Sequence, residues 1–128
     1  MTYEELEKVN LVDKFSLFQE AWKPHVIGEL GDQQVRVAKF RGRFDWHFHE
    51  QEDELFLVVR GVMIMGLRDP EEREVEVGEG EFLIVPHGTE HRPGALGDEA
   101  WVLMLEPATT LNTGNLRNER TVKELERL

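Results

Sequence analysis

The spacing of apolar positions along this chain changes once, near residue 24. Before that point Leu11, Phe15, Phe18 and Trp22 recur every three to four residues with charges between them, the period of an amphipathic helix. Upstream, Thr2-x-x-Glu5 has the form of a capping box, in which hydroxyl and carboxylate satisfy the free amides of a helix start, and Leu6 and Val9 follow it. Pro24 cannot continue a helix. Residues 1–24 are therefore expected to form one broken helix, or two short ones, packed on the outside of a larger body.

From His25 onward the apolar runs are short and bounded by turn formers. Strands are predicted at His25–Leu30 and Gln33–Phe40 around Gly31-Asp32, at Asp53–Arg60, and at Val62–Leu67 after Gly61. Three more are predicted at Arg73–Val77, at Glu81–Val85 before Pro86, and at Trp101–Leu105 before Pro107. Turns at intervals of about 8–12 residues make residues 25–107 an antiparallel sandwich or barrel. Leu55, Leu57 and Val59 alternate with Phe56 and Val58, so this strand is apolar on both faces and must be covered on both. The N-terminal helix could cover one face, or a second copy of the chain could. Residues 108–128 read as a polar tail, with Thr121-x-x-Glu124 before Leu125 and Leu128 as a possible short helix.

The length, 128 residues, suits a single domain that buries roughly two-thirds of its unfolded surface. Fifteen basic against 26 acidic residues give a net charge of −11, which disfavours nucleic acid and anionic membranes as partners. There is no cysteine, so any metal must sit on histidine, carboxylate or water. The N-terminus lacks the basic start and apolar run of a signal peptide, and no stretch has transmembrane length. A soluble, cytoplasmic protein is expected.

Chemistry concentrates between Gly42 and Gly61. His47 and His49 flank Phe48, and on an extended backbone alternate side chains share a face, so two imidazoles lie close enough to hold one ion. Four carboxylates follow. Glu50 and Glu52 fall in a bend, whereas Glu54 starts the apolar strand, where its side chain is aimed; Asp53 is the second choice. A second cluster runs from Gly80 to His91, where Pro86 and Gly88 turn the chain sharply and fix where His91 enters the next strand. His87, within the turn, should face water, and His25 reads as a surface or satisfied residue.

These two segments resemble the two motifs of the cupin superfamily. The first reads Gly42…His47-Phe-His49-x4-Glu54-x6-Gly61, with one residue fewer than usual between Gly42 and His47. The second reads Gly80-x5-Pro86-x-Gly88-x2-His91-x3-Ala95, with alanine in place of the usual asparagine. The resemblance spans Val35 to about Glu106 and implies an all-β fold, a double-stranded β-helix or jelly-roll barrel. It implies a divalent transition metal (iron, manganese, nickel, zinc, cobalt or copper) held by His47, His49, Glu54 and His91.

Small cupins of this kind are often grouped with mannose-6-phosphate isomerase by similarity. The resemblance implies a metal-dependent enzyme acting on a small polar molecule, by isomerase, dioxygenase or lyase chemistry, with no catalytic residue assigned beyond the metal ligands. The alternative is a non-catalytic cupin that binds or senses a small ligand. A homodimer is expected, as dimeric cupins are common. Arg41 and Arg43 could bind a substrate anion, although surface positions suit both better. Met63, Met65, Phe82, Ile84 and Met104 are candidate pocket walls.

Overall fold

The computed structural model describes residues 6–128, so the Thr2-x-x-Glu5 capping box lies outside the described residues. The elements are a helix α1 (Leu11–Phe15) and seven strands: β1 (His25–Leu30), β2 (Gln33–Phe40), β3 (Glu54–Arg68), β4 (Glu72–Val77), β5 (Phe82–Val85), β6 (Glu90–Pro107) and β7 (Glu126–Arg127). They pair in the order β4-β3-β6-β2-β1-β7, with β5 also on β3, and close into a jelly-roll barrel. Among the described residues no helix is long and apolar enough to cross a membrane.

Two long strands make the barrel. One half of β3, Glu54–Leu57, pairs with β5, while Met63–Arg68 pairs with β4. Along its whole length β3 pairs with β6, with register shifts on either side of Arg60. The expected break at Gly61 is thus a bend within one strand. Gly61 has φ +82°, and a Cβ there would lie 2.4 Å from the Glu99 carbonyl oxygen, so only glycine allows the two strands to cross this closely.

The register corrects one expectation. Ile84 pairs with Leu55 and Phe82 with Leu57. Paired residues share a face, so Phe82 and Ile84 point outward with Leu55 and Leu57, and they are 60% and 53% exposed. Neither lines the metal-side cavity among the described residues. Met63, Met65 and Met104 do point inward, packing with Phe40, Phe56 and Val102 inside the barrel.

A second apolar layer lies outside. Phe15 and Phe18 pack on Val37 and Ile27, with Trp101 beside them; the Phe15 and Trp101 rings stack at 4.9 Å. Lys39 is buried beneath them, donating to the Phe18 carbonyl (2.8 Å) below the Trp101 ring. The helix itself stops at Phe15, because Ser16 caps it through the Lys14 and Val12 carbonyls. Trp22 leaves the helical period altogether: its amide bonds to the Lys39 carbonyl and its ring stacks on Phe40 at 4.5 Å. The C-terminal helix does not form either. Residues 126–127 instead add β7 alongside β1 in parallel, a pairing that propensity does not foretell.

Candidate metal centre

His47 and His91 face each other across a two-residue bridge. Each amide donates to the other's carbonyl, at 3.0 and 2.8 Å. The Gly88 amide donates to the His49 carbonyl at 2.7 Å, so the Pro86–Gly88 turn is tied directly to the first histidine segment. Glu54 opens β3 with its side chain inward. The result brings together one ligand atom from each of His47, His49, Glu54 and His91 within 4.8 Å of one another, all four residues buried. Asp53 points away, 64% exposed, and holds the His87 amide and ring in the outer turn.

The donor set fits a cation. His47 Nδ1 lies 2.9 Å from the Asp45 carbonyl and His91 Nδ1 lies 2.8 Å from the Thr89 carbonyl. A carbonyl can only accept, so both rings are assigned Nδ1–H and turn an Nε2 lone pair inward. His49 Nε2 is buried with no hydrogen-bond partner, although Glu54 Oε1 is 2.9 Å away, outside hydrogen-bond geometry. His91 Nε2 is 3.1 Å from the same oxygen. Donors bound at about 2.1 Å and at right angles would stand about 3.0 Å apart, so these separations are those of neighbouring ligands on one ion. Three imidazoles and one carboxylate suit a divalent transition metal without selecting among them.

Residues 33–106 match the family model described as Cupin domain. The chain belongs to the cupin family. A cupin-2 domain protein from Shewanella frigidimarina superposes with a TM-score of 0.74 at 36% identity, over 82% of this chain and 97% of that one. The uncharacterized protein YdbB of Bacillus subtilis is 39% identical over 66 residues, which span 52% of this chain and 57% of the relative's length. Hydroquinone 1,2-dioxygenase from Sphingomonas, with 4-hydroxybenzoate bound, matches 80% of this cupin with 32% of its own chain (TM-score 0.70, 19% identity), a likeness of fold alone.

Beside the four donors the cupin has a narrow cavity, with about 30 Å³ open to water, room for one or two molecules. Its walls include Trp22, Phe40, Phe44, Phe56 and Met104, with His47, Glu54 and Glu106 as the charged or titratable groups. Arg41 and Arg43 take no part. They pair with Glu99 and Glu74 on the outside, at 2.7 and 2.5 Å.

Several supporting residues escaped the sequence reading. Arg36 Nη1 donates to Glu106 Oε1 at 3.1 Å, both side chains buried, and Glu106 stands next to Glu54. Burial and the Glu54 charge push the Glu106 carboxyl well above its ordinary range. Burial alone would also push Glu54 up, but contacts with Glu106, His49 and His91 outweigh it and hold Glu54 well below. Burial, then the charge of His91, lowers His47 to about 4. Asn115 clamps Phe48, the residue between the two histidines, accepting its amide and donating to its carbonyl at 2.9 and 3.0 Å. Gly114 precedes it with φ +57°, and a Cβ there would meet the Phe48 carbonyl oxygen at 2.3 Å. The polar Gly114-Asn115 turn was the available signal.

His25 differs from expectation. It is 3% exposed, its ring lies 4.4 Å from Phe18, and neither nitrogen has a hydrogen-bond partner. Burial lowers its pKa, and it takes no part in the metal centre.

Proposed function

We propose that this cupin is a metal-dependent enzyme for a small, uncharged, largely apolar molecule, with His47, His49, Glu54 and His91 as the metal ligands. The observation that carries this reading is the narrow cavity beside His47 and Glu54, whose wall is aromatic and whose described lining includes no lysine or arginine. The Arg36 guanidinium lies outside this cavity and meets it only through Glu106. A sugar phosphate would find no cation in that cavity to offset its charge; Arg117 lies instead in a wider pocket of about 590 Å³ that opens on His49 from the other side.

When bound, the ion supplies Lewis acidity and, if iron, manganese or copper, redox chemistry. The protein's part is positioning. Trp22, Phe40 and Phe44 wall the cavity and exclude water from it, with the Phe44 ring edge-on to His47 at 5.4 Å. Glu106, on the cavity wall next to Glu54, offers a polar group to the substrate.

The test is a screen of small hydroxylated aromatics with protein loaded separately with each metal, following oxygen uptake and product. Turnover that disappears in Glu54→Ala supports the reading. Turnover confined to sugar phosphates would overturn the substrate class.

A non-catalytic ligand-binding module is the second reading, favoured by the ~30 Å³ of open space, too little for an organic substrate without movement of the walls. Saturable binding without turnover under every metal would select it. We also infer a cytoplasmic homodimer joined through the outer face of β5, where exposed Phe82 and Ile84 lie beside half-buried Leu55 and Leu57 on an edge strand.

A further inference from the structure

We propose that a pocket between β2 and the C-terminal segment binds a small oxyanion, a phosphate or carboxylate group, independently of the metal cavity. The pocket holds about 230 Å³ and is lined by Gln34, Arg36, Thr110, Lys123 and Arg127 among others; none of its described lining residues is acidic, in a chain of net charge −11. A concave site of hydrogen-bond donors on so acidic a protein calls for a negatively charged occupant.

Each polar group has a stated capacity. The Arg36 guanidinium has five N–H groups. Nε donates to Gln34 Oε1 (3.0 Å), Nη1 to Glu106 Oε1 (3.1 Å) and the Thr110 carbonyl (2.8 Å), and Nη2 to the Ala108 carbonyl (3.1 Å). One N–H on Nη2 remains. Because Gln34 Oε1 accepts from Arg36, the amide of Gln34 has its N–H groups left to offer. Thr110 is 5% exposed, and its Oγ1 is buried with no hydrogen-bond partner. Leaving such a hydroxyl unpaired is unfavourable, and an anion in the pocket would satisfy it.

The charge balance favours the same occupant. Arg36 donates to Glu106, and Glu29 pairs with Arg127. Lys123 makes no ion pair among the described residues and supplies the positive charge that no carboxylate balances. At about 230 Å³ the pocket lies below the range of drug-sized ligands and suits a phosphate group or a short carboxylate.

Calorimetric titration of the full-length, metal-loaded protein tests this, with inorganic phosphate as one probe and malonate as the other, against sodium chloride of matched ionic strength. Saturable binding of either probe is expected, and the tighter of the two identifies the source of the anion. Lys123→Glu should weaken binding by about tenfold or more. Lys123 is exposed, so that variant should keep the wild-type Tm and metal content. Thr110→Val, which removes the hydroxyl at nearly constant shape, should weaken binding about fivefold. Absence of saturation by both probes up to ~20 mM, or equal affinity in wild type and Lys123→Glu, would overturn the proposal.

Discussion

His91 and Glu54 meet acceptor to acceptor: Nε2 of one lies 3.1 Å from Oε1 of the other, while His91 Nδ1 is committed to the Thr89 carbonyl. Two lone pairs at that distance in a buried site repel unless a proton or a metal ion lies between them. His49 Nε2, buried and without a hydrogen-bond partner, lies 2.9 Å from the same oxygen. Protein purified without chelator should therefore carry about one divalent ion per chain, read by elemental mass spectrometry. His47→Ala with His49→Ala should abolish it, and metal content equal to wild type in the double variant would remove the site from consideration.

The pH dependence of the metal-free protein follows from His47. Its folded-state pKa lies below the unfolded value, at about 4 against 6.5. The unfolded chain then binds the extra proton first, so stability is fully present above pH ~6.5 and falls as pH drops toward 4. The loss attributable to this group is about 3 kcal/mol at most. Urea midpoints at pH 7, 5.5 and 4.5 read the slope; a rise on acidification would contradict it. Metal affinity should fall over the same range, because protons compete for the same nitrogens.

Asn115 touches no metal, yet it fixes the backbone between His47 and His49 through both polar groups of Phe48. Asn115→Ala should weaken metal binding by about 10–100-fold, as loss of supporting hydrogen bonds to ligands commonly does. Asn115→Asp keeps the acceptor for the Phe48 amide and should recover much of the affinity. Competition against a chromophoric chelator separates this from a general loss of stability, which thermal melting reports.

Gly61→Ala places a methyl 2.4 Å from the Glu99 carbonyl oxygen at φ +82°. Backbone meets backbone there, so no side chain can swing aside. A loss of about 3 kcal/mol or more is expected, measured by denaturant unfolding. Alanine at Gly80, where φ is also positive (+81°) but nothing lies within 4 Å, should cost about 1 kcal/mol.

If the outer face of β5 joins two copies, Phe82→Lys with Ile84→Lys should yield monomers by sedimentation with little change in folding of the single chain. Both side chains are exposed in the monomer, so their removal leaves the barrel interior intact. A wild-type protein that already sediments as a monomer would remove this interface.

How much of this was legible in sequence depended on whether the signal was local. Glu54 and Asp53 separate by strand phase alone, and the structure turns the first inward and the second to solvent. Met63 and Met65 follow the same rule. A strand was expected to begin at His91, but its extent through the first half of β6 was not, because Pro93, Gly94, Gly97 and Asp98 are poor strand formers; pairing with β3, from Val62 to Arg68, overrides them. Phe82 and Ile84 have a strand's periodicity, but which face is inward depends on a partner strand far along the chain. The Arg36–Glu106 pair joins residues 70 apart, and nothing in Val35-Arg36-Val37 reveals that its middle side chain ends inside a barrel.

The clamp on Phe48 also sets an order of events. His47, His49, Glu54 and His91 all precede Gly114 and Asn115 in the chain, so during synthesis all four donors emerge before the turn that holds the first two in place. A nascent chain still lacking residue 115 presents the donors without their frame. Metal capture at full affinity therefore belongs to the finished polypeptide, and a ribosome stalled just after His91 should display a chain that binds the ion weakly and exchanges it freely.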